Sequence, residues 1–150
     1  MSVIELIDQL REHRQLQSPE DVEAFEEALS ALAEEPQAAV HDRLPELFLI
    51  LSDECEFEEV LWGLVHFIED FDYQTLVSTF VDVAPQLMDE GPEWVDTFLH
   101  RILNNETTRT LLRAHLPPLS SPNGALIRQL LEEIGDEDAE ERAKVDAVLA

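Results

Sequence analysis

Helix punctuation recurs so regularly along this chain that it leaves little room for any other secondary structure. Ser18-Pro19-Glu20-Asp21 combines an N-cap serine, a proline at the first helical position and acids in the first turn. Pro45 opens "PELFLILS", which reads as a short and very apolar helix. Asp72 caps "YQTLVSTFVDV", Pro92 starts "PEWVDTFLHRILNN", and Asn105 caps "ETTRTLLRAHL". Ser121-Pro122 starts "NGALIRQLLEEI", Gly135 closes it, and Asp136 is read as the cap of the last helix. Pro36 ends the second helix, and Pro85 is expected to interrupt another, leaving "PQLMDE" as a turn.

Between these signals the apolar spacing is helical. Val3, Leu6, Ile7 and Leu10 form one stripe, and Val22, Phe25, Ala28, Leu29 and Leu32 form the next. No alternating strand pattern competes, and the Asn123-Gly124 pair falls in a helix start rather than a hairpin. Starts every ~15–20 residues give paired helices every ~35, the period of helix-hairpin repeats. The fold expected is therefore all-α: a HEAT-like solenoid or an irregular right-handed helical bundle of about eight to nine helices. With 150 residues, the expectation is a single domain over 1–150.

Charge narrows the function classes. Acids outnumber bases by 34 to 9, for a formal net charge of −25. That balance argues against nucleic acid or an anionic membrane as partner and favours a cationic protein. The charge is also uneven, because fourteen acids and no lysine or arginine lie between Arg43 and Arg101. Cys55 is the only cysteine, the N-terminus lacks a basic region before its apolar residues, and no apolar run is long enough to span a bilayer. A cytoplasmic protein, monomeric rather than homo-oligomeric, is expected.

The stretch "SDECEFEEVLWGLVHFIEDFD" carries eight acids around a tryptophan and a histidine. On a wheel of 100° per residue, Phe57, Val60, Leu61, Leu64, Ile68 and Phe71 share the core side. Trp62, His66 and Glu69 share the opposite side, and Cys55 and Tyr73 would extend that line if the helix reached them. One reading buries this second stripe beneath a neighbouring helix, with His66 hydrogen-bonded inside. The other makes it a partner surface, since tryptophan ringed by charge is the usual anatomy of a binding hot spot. The candidate partner-binding residues are Asp53, Glu54, Glu58, Trp62, His66, Glu69, Asp70, Asp72 and Tyr73. Trp94, which shares a side with Phe98 and Arg101, is read as packing.

No catalytic, cofactor or metal motif is present. None of the five histidines has a glutamate three residues before it, and there is no His-Glu-x-x-His, glycine-rich phosphate loop or Gly-x-Ser-x-Gly. Cys55 and His66 on one helix would lie three turns apart, beyond hydrogen-bond reach. A non-catalytic protein without cofactor or metal is expected.

Asp53-Glu54-Cys55-Glu56, Trp62-Gly63-Leu64-Val65-His66 and Ile68-Glu69-x-Phe71-Asp72 resemble the immunity protein 30 family. Pro92-Glu93-Trp94 and Arg101-Ile102-Leu103-Asn104 extend the likeness, which covers roughly residues 47–106 and more loosely the whole chain. The resemblance implies a non-catalytic inhibitor of a cognate toxin in a bacterial polymorphic-toxin system, including contact-dependent growth inhibition. Such a toxin is often a nuclease, and a nuclease must attract phosphate, so an acidic inhibitor would exploit the same charge. The rivals are an acidic secretion chaperone, usually dimeric and of mixed α/β structure, and a nucleic-acid mimic that blocks basic proteins by charge.

Overall fold

The computed structural model describes all residues from Met1 to Ala150 and is helical throughout, with no strand. Two compact units divide the chain, Met1–Phe71 and Asp72–Ala150.

The first unit contains α1 (Val3–Glu12), α2 (Pro19–Ala33), α3 (Gln37–Val40), a 3-10 turn (His41–Arg43), α4 (Leu44–Phe48) and α5 (Glu58–Glu69). Ser2 and Ser18 cap α1 and α2 by accepting from Glu5 N and Asp21 N. Leu6, Ile7 and Leu10 of α1 and Phe25, Ala28 and Leu32 of α2 are buried, α1 packs on α2, and α2 in turn packs on α5. His13 Nδ1 lies 2.8 Å from Asp21 Oδ1, and Asp21 also accepts from Gln17 N. The hydrogen bond to His13 is the main reason the Asp21 carboxyl titrates below its usual range.

The apolar helix read at Pro45 is shorter than expected and ends at Phe48. Residues 49–57 form a connection, because α1 and its following loop capture the backbone there. Arg14 Nε donates to the Ile50 carbonyl at 2.9 Å, Glu56 N donates to the Gln15 carbonyl at 3.3 Å, and Ser52 Oγ accepts from Glu54 N. The Ile50 carbonyl is a group that a longer α4 would use, and the Glu56 N–H one that a longer α5 would use.

The second unit contains α6 (Tyr73–Leu87), α7 (Pro92–Leu103), α8 (Glu106–His115), α9 (Pro122–Gly135) and α10 (Ala139–Leu149). Here α8 packs on α6, α7 and α10, while α6 also meets α9, as in a bundle. Trp94 and Phe98 are buried, with the Phe98 ring centroid 5.9 Å from that of Phe80, so Trp94 is a packing residue; Arg101 is exposed. Asp72, Asn105 and Ser121 cap their helices as read. The last helix is capped by Asp138 rather than Asp136, and Asp136 instead pairs with Arg142 at 2.9 Å.

Pro85 does not break α6, which continues to Leu87. A proline inside a helix leaves the carbonyl four residues earlier, here Val81, without its usual donor. Asn123 supplies it: its side-chain Nδ2 donates to the Val81 carbonyl at 2.7 Å and to Asp82 at 3.2 Å. Removing that donor strands a partly buried acceptor, which costs about 1–3 kcal/mol. Alanine recovers only a few tenths through helix propensity. Asn123→Ala is thus expected to lower stability by about 1 kcal/mol in urea unfolding. Asn123→Asp should be worse, although an acid so near a helix N-terminus is normally favourable, because a carboxylate would face two carbonyls.

His100 gives the second unit a pH-dependent contact. Burial disfavours its charge, but the Asp96 carbonyl at 3.0 Å and the Glu137 carboxylate at 3.3 Å outweigh burial and raise its pKa above the ordinary 6.5. A raised histidine contributes stability that is complete below 6.5 and is lost as pH rises through the folded-state value. Thermal melts should therefore show the native protein losing more stability than His100→Gln as pH climbs from about 6 to 8.

Candidate functional site

Helix α5 forms where Glu58 and Glu59 occupy its first turn, favoured by the positive end of the helix dipole, and His66 its last. Leu61, Leu64, Val65 and Ile68 are buried, while Val60 is half-buried. Trp62, His66 and Glu69 lie on the other face, as the wheel predicts. Trp62 is half-buried, and its ring centroid stands 6.0 Å from that of His66 with the planes tilted by 39°. His66 Nδ1 lies 3.7 Å from Glu69 Oε1.

The His66 side chain is 67% exposed, so the reading that hides the imidazole beneath a neighbouring helix does not hold. At that exposure an ion pair contributes ~0–1 kcal/mol, too little to be the reason for the arrangement. What the face offers chemically is an aromatic surface beside an imidazole that can donate, accept or carry charge.

The other candidate residues are spread along the chain. Asp53 is half-buried and Glu54 exposed in the connection before α5, and Glu58 is exposed at the start of the helix. Asp70 is the exposed C-cap of α5, and its carbonyl accepts from Gln37 Nε2 at 3.1 Å. Asp72 and Tyr73 open the second unit, where Asp72 accepts from Thr75 N and Tyr73 is 44% exposed. Because α5 runs only from Glu58 to Glu69, neither Cys55 nor Tyr73 lies on its wheel. Burial, followed by the charges of Glu58, Asp53 and Glu59, pushes the Cys55 thiol up, which opposes formation of a nucleophilic thiolate.

The sequence reading missed a groove beside this stripe. Gly63 faces α2 where the two helices pack, with the Leu29 methyl at an ordinary contact distance, 3.4 Å, from where a Cβ would stand. The groove between them holds about 320 Å³ and exposes Val60 and Gly63 between Glu26 and Glu59. A shallower depression of about 590 Å³ continues along the outer face of α2 past Glu23, Glu27 and Glu34. Its signal in the sequence is a second basic-free window: eight acids and no lysine or arginine lie between Arg14 and Arg43.

No helix of this chain is long and apolar enough to cross a membrane. A sequence model of the immunity protein 30 family matches residues 12–112, about two-thirds of the chain, and the chain belongs to that family. Membership implies a protein partner, a cognate toxin, and the family is generally non-catalytic. Comparison with curated proteins and with solved structures gave no match.

Proposed function

We propose that this protein neutralises a basic toxin domain, of the nuclease type, by binding it through the acidic outer face of α5. The observation that carries the reading is the pairing of half-buried Trp62 with exposed His66 on a helix whose flanks are acidic. A large aromatic that is already partly sheltered loses little freedom on binding and adds much contact area. Trp62, His66 and Glu69 form the centre, and Asp53, Glu54, Glu58 and Asp70 supply the surrounding charge. Asp72 and Tyr73 are further contacts on the second unit. The family match runs across both units, which supports their acting as one immunity domain.

The inhibitor works without chemistry of its own, as a cytoplasmic monomer protecting the cell that makes it, in a contact-dependent inhibition system. The long-range field of its net charge of −25 speeds capture of a cationic domain, and the α5 face gives selectivity. The all-α fold disfavours the secretion-chaperone alternative, which calls for mixed α/β structure.

The test is co-expression with the C-terminal domain encoded by the neighbouring reading frame. Growth should stop with that domain alone and resume when this protein is present. Rescue by an unrelated protein of equal charge would leave only a nucleic-acid mimic.

A further inference from the structure

We infer that the groove between α2 and α5 is a second docking surface, which accepts a lysine- or arginine-bearing amphipathic helix of the partner. The identity of its occupant rests on the toxin-binding reading, whereas the groove itself rests on geometry and charge. Its floor is apolar, with Leu29 on α2 and Val60 and Gly63 on α5, and Val22 and Ala31 continue it along the outer face of α2. Glu26 and Glu59 border it, Glu23, Glu27 and Glu34 border the depression that continues along α2, and all five are exposed. An apolar floor between anionic walls matches a helix with small apolar residues on one side and cations along both margins.

The distribution of cations in the first unit supports this occupant. Arg11 pairs with Asp8 at 2.9 Å and reaches Glu46, Arg43 pairs with Glu46 at 2.7 Å, and Arg14 bonds the carbonyls of Ile50 and Leu51. The three arginines of this unit are therefore engaged away from the groove, and no lysine or arginine lies between Arg14 and Arg43 or between Arg43 and Arg101. Glu23 and Glu27 stand four residues apart on one helix, and Glu23 and Glu26 three, spacings at which like charges face each other and destabilise a helix. A solubility surface needs no such crowding around an apolar floor. A surface completed by a partner's cations relieves it on binding.

The groove also adjoins the Trp62 stripe. At 100° per residue Glu59 falls between His66 and Gly63 on α5, so one partner segment can lie along α2 while another covers Trp62.

The test uses the isotope-labelled full chain and a short synthetic helix with alanine and leucine on one face and lysine on the other. An all-glutamate version of the same helix is the control. Amide shifts on titration should concentrate in residues 22–34 and 59–63 and be absent with the control. Ser30, exposed and lining both parts of the groove, is the position to block. Ser30→Lys should weaken the lysine helix about tenfold. Glu23→Gln with Glu27→Gln should weaken it too while leaving the free protein as stable or more so, which distinguishes a binding role from a structural one. Shifts spread over the acidic surface, or centred on Trp62 with no response to Ser30→Lys, would overturn the proposal. Because the probe is a defined peptide, that result stands whether or not the neighbouring gene product proves toxic.

Discussion

Gly124→Ala is expected to destabilise the second unit by about 3 kcal/mol, enough to leave much of the protein unfolded at moderate urea. Most glycine-to-alanine changes inside a helix do the opposite and add roughly 0.5–1 kcal/mol. The sign reverses here because a Cβ would overlap the Pro118 carbonyl and stand 2.6 Å from that of Pro117. Neither carbonyl can retreat easily. Ser121 N donates to Pro118 O at 2.9 Å, Arg128 holds Pro117 O at 3.0 Å, and both residues have the fixed φ of proline. Gly63 is the internal contrast. Its added methyl meets only the flexible tip of Leu29, so Gly63→Ala should be neutral or stabilising by up to about 1 kcal/mol. Urea midpoints of the two variants, compared with native protein, should move in different directions. Equal shifts would contradict the account of the Pro117–Gly124 corner.

Trp62→Ala is expected to weaken toxin binding by ~2 kcal/mol or more, at least thirtyfold in Kd, with the helical circular dichroism retained. The fold should survive because Leu61, Leu64, Val65 and Ile68, which anchor α5, are fully buried, whereas Trp62 is only half-buried. Trp62→Phe should keep part of the affinity, since a ring remains beside His66. A Trp62→Ala protein that binds as tightly as native would remove α5 from the interface. One that loses its helical signal would show that Trp62 packs rather than binds.

Much of the fold was legible because its rules are local. Ser18, Asp72, Asn105 and Ser121 announce their helices through cap chemistry confined to four residues, and proline at the first turn marks α2, α7 and α9. Where the reading failed, a distant residue decided the outcome. Asn123 supplies the donor that lets α6 pass through Pro85, and Arg14 and Gln15 hold backbone that would otherwise extend α4 and α5. Asp138 caps the last helix because α9 runs on through Gly135 and its closing turn uses Asp136.

The candidate site divides along the same line. Periodicity alone placed Trp62, His66 and Glu69 on one face of α5, but it could not give their exposure, which depends on what packs nearby. The groove was harder to see. The α2 glutamates stand plainly in the sequence, yet they look like an ordinary solvated helix face until α5 is laid beside them.

The central claim is specific recognition of one basic toxin, and titration calorimetry with the purified C-terminal domain of the neighbouring gene product tests it most directly. The account predicts a one-to-one complex whose affinity falls as salt rises and which an unrelated basic protein does not reproduce. No heat of binding, or equal binding to any basic protein offered, would contradict it.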